Sequence, residues 1–480
     1  MKIKYLLISL GLIYLSACNK HLDQAPPDKG PDKDAIVDMG GLNAAVVGMY
    51  SKMRDLSYYG GLYLYLPEIM GDNVYISANN SNRYLSSYRY NWVGSDGDVT
   101  AVWNSIYSAI LSANNIINDG PNVPAGDDEV ATKNSDLGQA YFIRALEHFD
   151  LVRFFAQQYA IGGGSQLGVP YVTQKQIGSP ARNSVAEVYE MLIADLRKAE
   201  SLLPDVTPKT LGRYNANKDA VHALLSRVYL YRGDNDSAVV EATKVVESAA
   251  DYSIIDAVAN PSGYMEFYNT PGTAGEIFTL HFLTTNGGGS TNYGNMYLND
   301  GYGDIKPSTG LINSLDPADI RREFVVNGGN EDQPDELENL KFTGQENTPG
   351  LYSPKILRIE EVYLNRAEAN AKLGQTNDAL DDLNEIRTRR GLSILTGVSG
   401  KALVDSVLRE RQIEFMFEGT RYFDLMRNEL DVKRSNPGIT NVLSGSPTEI
   451  KHGEDHSIVP IPARELNSNN NMDPNPGYGN

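Results

Sequence analysis

Glu410, Glu414 and Glu418 stand four residues apart, a spacing that sets three carboxylates along one face of a helix. Such a row could hold a cation or act as acid and base. Arg409, Arg411 and Arg421 are interleaved with it, however, and alternating charge of this kind points to ion pairing. Glycoside cleavage needs two carboxyl groups facing each other across a sugar, which one helix face does not supply. His452 and His456 are also four apart, but Gly453 between them and the flanking acids read as a solvated loop. Asp96-Gly97-Asp98 begins like a calcium loop and lacks the remaining ligands. Gly287-Gly288-Gly289 lacks the Gly-Lys-Ser/Thr and the following helix of a phosphate loop.

Binding chemistry has better material. A sugar ring offers apolar faces and a rim of hydroxyls, so its site pairs aromatic platforms with Asp, Asn and Arg. Residues 68–92 supply Asp72, Asn73, Tyr75, Arg83 and Trp92, with Asn79, Asn80, Tyr84, Tyr88 and Tyr90 around them. A second stretch, 286–304, supplies Tyr293, Tyr297 and Tyr302 beside Asn292, Asn299 and Asp300. Trp92 sits among polar residues, whereas Trp103 falls on a helical apolar pattern. The expectation is one loop-rich ligand face built from both stretches, away from the Glu410 to Glu418 row. Each of these rings is as readily core packing as platform, and amide-rich aromatic loops also suit extended peptides.

The elements that must carry such loops are helical. Apolar residues recur at three- and four-residue spacing over 99–117, 139–155, 185–203, 216–231, 237–249, 356–373, 378–389 and 404–426. In two places a helix pattern stops at Gly (Gly233, Gly374) and an Ala follows five residues later (Ala238, Ala379). This resembles the tetratricopeptide pattern, in which the small residue lets the second helix pack closely. Between the two places the periodicity fails over 252–354, and a second irregular, aromatic stretch covers 58–98. The reading is a mainly α, tetratricopeptide-like scaffold with large loop-rich insertions. Its segments are 1–17 (signal peptide), 18–34 (lipidated tether), 35–251 (helical region bearing the aromatic loop), 252–354 (ligand-binding insertion) and 355–480 (second hairpin and carboxy-terminal region).

The chain has 480 residues, 41% hydrophobic and 21% charged, which suits a globular protein. A net charge of −19 argues against nucleic acid as a partner. One cysteine excludes an internal disulfide framework. Tyrosine is in excess, at 29 against 12 Phe and 2 Trp, and suits wet recognition surfaces as well as cores. Lys2 and Lys4 precede an apolar run too short to span a bilayer, which ends in Leu15-Ser16-Ala17-Cys18. Small residues before the sole cysteine resemble a bacterial lipobox, so Cys18 is expected to carry acyl chains. Several chains on one residue give stable anchoring.

The carboxy-terminal third carries a family likeness. Leu357-Arg358-Ile359-Glu360-Glu361-Val362-Tyr363-Leu364-Asn365-Arg366-Ala367-Glu368-Ala369 precedes the second hairpin. Arg389-Arg390-Gly391-Leu392, Leu408-Arg409-Glu410-Arg411, Phe417-Glu418-Gly419-Thr420-Arg421, Asp424-Leu425, Pro460-Ile461-Pro462 and Asn475-Pro476-Gly477-Tyr478 follow in order. With Trp103, Tyr107, Ile110, Asn114, Tyr141, Arg144 and Ala145 in the amino-terminal half, the whole resembles the SusD/RagB family of outer-membrane nutrient-binding lipoproteins of Bacteroidetes. Asn428 departs from it, where the family often has Trp. The resemblance implies a surface-exposed outer-membrane lipoprotein that caps a SusC-type TonB-dependent transporter. It implies capture of oligosaccharide, or in some members peptide, without catalysis and without a cofactor. Asn475 to Tyr478 and the helical scaffold would be docking surfaces for the barrel. A glycoside hydrolase and a purely structural adaptor are the readings from other classes.

Overall fold

Helices carry the chain, as its apolar spacing requires. The computed structural model describes residues 35–175, 178–207, 212–250, 252–329 and 334–479; the signal segment, Cys18 and the tether lie outside them. The principal helices are α1 (Met39–Met53), α2 (Leu62–Met70), α3 (Leu85–Arg89), α4 (Gly97–Asp119), α5 (Val130–Phe155), α6 (Val185–Leu202), α7 (Lys218–Arg232) and α8 (Asn235–Val246). Beyond the loop-rich stretch come α9 (Ile359–Lys372), α10 (Thr376–Arg389), α11 (Gly400–Glu414) and α12 (Arg421–Arg427). Four short strands matter to the site: β1 (Val74–Ile76), β2 (Glu276–Thr279), β3 (Ile305–Pro307) and β4 (Lys355–Arg358).

Sequential packing of α5, α6, α7, α8, α9 and α10 makes a stack of antiparallel helices. The hairpins α7–α8 and α9–α10 are therefore neighbours in space, although the whole 252–354 stretch lies between them in sequence. Gly233 ends α7 with φ +82°, and Gly374 follows α9 with φ +79°, left-handed values that glycine adopts without a Cβ clash. Ala238 and Ala379 are fully buried where the next helices cross. This is a mainly α, tetratricopeptide-like arrangement. Antiparallel pairing of β2 with β4 sets Glu276 opposite Arg358 and Thr279 opposite Lys355. Since β4 runs straight into α9, this ladder closes the neck of the insertion.

Two elements differ from the sequence reading. The 404–426 pattern is not one helix, because α11 ends at Glu414 and α12 begins at Arg421. Between them Phe417 and Gly419 take positive φ, and a side chain at Gly419 would meet the Leu64 carbonyl at 2.9 Å. Glu418 thus leaves the helix face that its spacing had suggested. Helix α2, inside the stretch read as irregular, is buried along its whole length and contains Pro67. A helix with no solvent side has no polar stripe, so periodicity misses it.

Charge and tyrosine fill the interior between helices. Arg144 of α5 makes a two-pronged pair with Asp195 of α6, both bonds 2.7 Å. Arg366 of α9 holds Asp382 of α10 at 2.8 and 2.7 Å, and Arg427 of α12 holds Glu368 of α9 with two bonds of 2.6 Å. Tyr58 and Tyr59 donate to the same Asp150 oxygen at 2.6 and 2.7 Å, while Arg153 takes the other at 2.5 Å. Much of the tyrosine excess therefore serves the core, where the rings pack as apolar surface and hydroxyls such as those of Tyr58 and Tyr59 meet a buried charge, while those of Tyr107 and Tyr293 donate to backbone carbonyls.

Candidate ligand-binding face

The two stretches named from sequence meet. Strand β1 pairs antiparallel with β3, placing Val74 opposite Pro307 and Ile76 opposite Ile305. Beyond the strands, Ser77 N–H donates to the Asp304 carbonyl at 3.1 Å. Asp304 turns its carboxylate back and accepts from Ser81 N–H at 2.9 Å and from the Ser81 hydroxyl. A loop over 78–84 is pinned in this way beside residues 299–302.

On that rim the Arg83 guanidinium lies 3.8 Å over the Tyr302 ring, a cation–π contact with both side chains half-buried. Arg83 also donates to the Ser81 hydroxyl at 2.6 Å. Asn82 and Tyr84, on either side of Arg83, have φ of +62° and +60°. Non-glycine residues in that region cost on the order of 1–2 kcal/mol each, and such strain gathers at binding sites. Behind Tyr84 the rings of Tyr65 and Tyr293 continue inward, stacked 4.8 Å apart at 9°. The rim is exposed at Asn79, Ser81, Asn82, Asn299 and Asp300.

A third stretch, unforeseen from sequence, completes the face. Asn441 donates to the Ser77 hydroxyl at 2.7 Å and to Glu336 at 2.9 Å, and the Ser77 hydroxyl donates to Glu336 at 2.9 Å. Next to these bonds lies an open cleft of about 200 Å³ lined by Asp335, Glu336, Thr440 and Asn441. The one sequence signal was turn chemistry at Asn436-Pro437-Gly438. It marks a loop but says nothing about which loop it meets.

The face corrects much of the residue assignment. Trp92 is 1% exposed: it packs at 5.0 Å on Tyr90 and donates to the Ile458 carbonyl at 3.3 Å and to the Tyr478 hydroxyl. Its faces are covered by core and carboxy-terminal chain, so it offers no platform to solvent. Tyr293 and Tyr297 are buried in the ring stack, and Tyr293 donates to the Phe417 carbonyl at 2.6 Å. Tyr75 points inward from β1. Asn73 is buried against Gln412, and Asp72 is held by Arg421 through bonds of 2.6 and 2.9 Å. Arg83 and Tyr302 alone of the assigned ligand residues stand at the rim with side-chain surface uncommitted to such a pair. Asn475, assigned to docking, is also spent internally: it donates to the Phe155 and Val459 carbonyls at 2.9 and 2.7 Å and accepts from Arg182 at 2.8 Å.

The carboxylate row pairs, as its interleaving suggested, but with other partners. Glu414, fully buried, accepts from Arg321 at 3.0 Å, Arg358 at 2.8 Å and Arg390 at 2.9 Å. Against the cost of burial, Arg390 and then Arg358 hold its carboxyl well below the usual range. Arg411 turns instead to Asp424, and Arg421 to Asp72. Glu410, paired with Arg321 and Arg387, also borders an open cleft of about 360 Å³ beside Asp316, Asp319 and Asp405.

Residues 338–478 match the family model described as SusD family, and residues 20–230 match one described as starch-binding, associating with the outer membrane. A SusD-like protein of Formosa agariphila is 26% identical, over 91% of this chain and 92% of its own length. Among solved structures, a SusD superfamily protein of Bacteroides thetaiotaomicron superposes with a TM-score of 0.83 at 27% identity, covering 92% of this chain and 100% of its own. A putative sugar binding protein of Bacteroides vulgatus superposes with a TM-score of 0.81 at 29% identity, covering 93% and 100%.

Proposed function

The chain belongs to the SusD family, and we propose on that footing that it captures an oligosaccharide at the cell surface and hands it to a SusC-like TonB-dependent transporter. The observation that carries the ligand assignment is the Arg83–Tyr302 pair on a strained, pinned rim beside exposed amides and a polar cleft. A sugar ring laid against Tyr302 would bury its apolar face, while the exposed Asn82 and Asp300 exchange hydrogen bonds with its hydroxyls. Arg83 holds the Tyr302 ring in place, which lowers the entropy lost on binding.

Binding without turnover is part of the proposal, and the locking of Glu414, the middle carboxylate of the row, to three arginines in the interior supports it. Anchoring through acylated Cys18 would keep the face outside the cell, and the transporter would perform the crossing. The test is calorimetry of the purified protein against a panel of oligosaccharides, followed by chromatography of the same mixtures. Micromolar binding of at least one oligosaccharide with the saccharide recovered intact supports the reading. Cleavage products, or no binding across the panel together with binding of oligopeptides, would replace it with a hydrolase or a peptide carrier.

A further inference from the structure

The rim around Tyr302 carries charge of both signs, and its cations are already matched. Arg83 donates to the Ser81 hydroxyl at 2.6 Å, and that hydroxyl in turn bonds the Asp304 carboxylate, so guanidinium and carboxylate meet through one shared group. Lys306 is buried in β3, with its ammonium 3.5 Å from Glu336 and bonded to the side-chain carbonyl of Asn299.

The remaining acids of the rim have no such match. Asp300 is exposed two residues before Tyr302 on the same turn. Glu338 accepts from Asn299 N–H at 2.7 Å and from the Asn299 amide at 3.2 Å, both neutral donors. Asp335 is exposed at the wall of the cleft that Thr440 and Asn441 also line. Among the described residues no cation forms an ion pair with Asp300, Asp335 or Glu338. Their charge is therefore uncompensated, and the net −19 of the chain adds to it with the same sign.

Two consequences follow for a saccharide. An ionised carboxylate only accepts hydrogen bonds, so it suits the hydroxyl donors of a neutral sugar and has nothing to offer the oxygens of a uronate or sulfate. Those groups also carry the same charge as the rim, and at about 0.01 M salt a Debye length of ~30 Å leaves the repulsion almost unscreened.

We propose that this face selects neutral saccharides and rejects those bearing uronate or sulfate groups, with Asp300, Asp335 and Glu338 as the discriminating residues. The proposal rests on the saccharide assignment of the Arg83–Tyr302 rim and gives it a substrate class.

Calorimetry of the full mature protein against charge-matched pairs tests it. Gluco-, galacto- and manno-oligosaccharides serve as probes, each as the neutral form, as the C6-oxidised uronate and as a sulfate ester. For the backbone that binds, the neutral member is expected to bind about tenfold more tightly than its anionic counterparts at low salt. That ratio should narrow at about 1 M salt, where the Debye length falls to ~3 Å. Asp300→Asn combined with Asp335→Asn changes two exposed side chains and keeps their polarity; it should shrink the low-salt ratio roughly fourfold. The readout is the ratio, so a general weakening of both members does not mimic the effect. An anionic member that binds as tightly as its neutral counterpart overturns the selectivity and leaves saccharide capture standing. A ratio unchanged in the double variant overturns the assignment to these residues. Absence of binding by every pair overturns capture and selectivity together.

Discussion

At position 414 a carboxylate sits wholly out of water, and three guanidiniums from distant parts of the chain make that tolerable. Glu414→Gln leaves Arg321, Arg358 and Arg390 short of a counter-charge, and removal of one partner from a buried network costs about 3–5 kcal/mol. Thermal melts should show that loss. The carboxyl groups of Glu414 and Glu368 are held below their unfolded values by neighbouring arginines. Their contribution is present above the unfolded carboxylate range and disappears as pH falls through their folded values. Glu68 has the opposite sign. Burial pushes it up to about 7, although Gly419 and Thr420 donate to it at 2.9 and 3.3 Å. Its contribution is complete below the unfolded value and is lost as pH rises through about 7. Glu68→Gln keeps an acceptor for both N–H groups and has no charge to bury. It should flatten the decline in stability between mildly acidic and mildly alkaline pH, read from denaturant midpoints across that range; an unchanged decline would show that another group is responsible. The spacing of Glu410, Glu414 and Glu418 told of ion pairing, but their true partners, Arg321, Arg358 and Arg390, come from other elements and no local pattern names them. Trp92 misled because its polar neighbours in sequence are not its neighbours in space.

Helices were legible wherever one side faces water. The α7–α8 and α9–α10 hairpins could be read from Gly233, Ala238, Gly374 and Ala379, because close packing and a left-handed stop each demand a particular residue. Their stacking was not legible, since it depends on the β2–β4 ladder that brings the ends of the insertion together. Helix α2 was hidden by complete burial, and the α11–α12 break by apolar residues at Phe415 and Phe417 that continue the helical spacing through a turn. A Cβ at Gly374 meets nothing within 4 Å, so Gly374→Ala isolates the backbone cost. It should lower stability by about 1–2 kcal/mol, measured by denaturant unfolding, and leave saccharide affinity unchanged. A loss of affinity would mean that the hairpin stack and the ligand face are coupled. The meeting of 72–92 with 286–304 was anticipated from composition, whereas the arrival of Asn441 and Glu336 was not, because a long-range loop contact leaves no periodic trace.

For the molecule as a whole, a helical stack carries a loop-built face at one place while buried charge ties the stack together. The proposed anchor is acylated Cys18: Cys18→Ala should abolish incorporation of a clickable fatty acid and release the protein from membranes, and equal labelling of wild type and variant would count against acylation there. The same burial that removes Trp92 from the ligand face makes it a control, since Trp92→Ala should cost about 3–5 kcal/mol of stability. The central claim is that saccharide is held at the Arg83–Tyr302 rim, and calorimetry of Tyr302→Ala against the tightest oligosaccharide for the wild type tests it most directly. Loss of one stacking ring should cost about 1–2 kcal/mol, so the dissociation constant is expected to rise roughly five- to thirtyfold at an unchanged melting temperature. A folded Tyr302→Ala that binds as tightly as wild type would contradict the account.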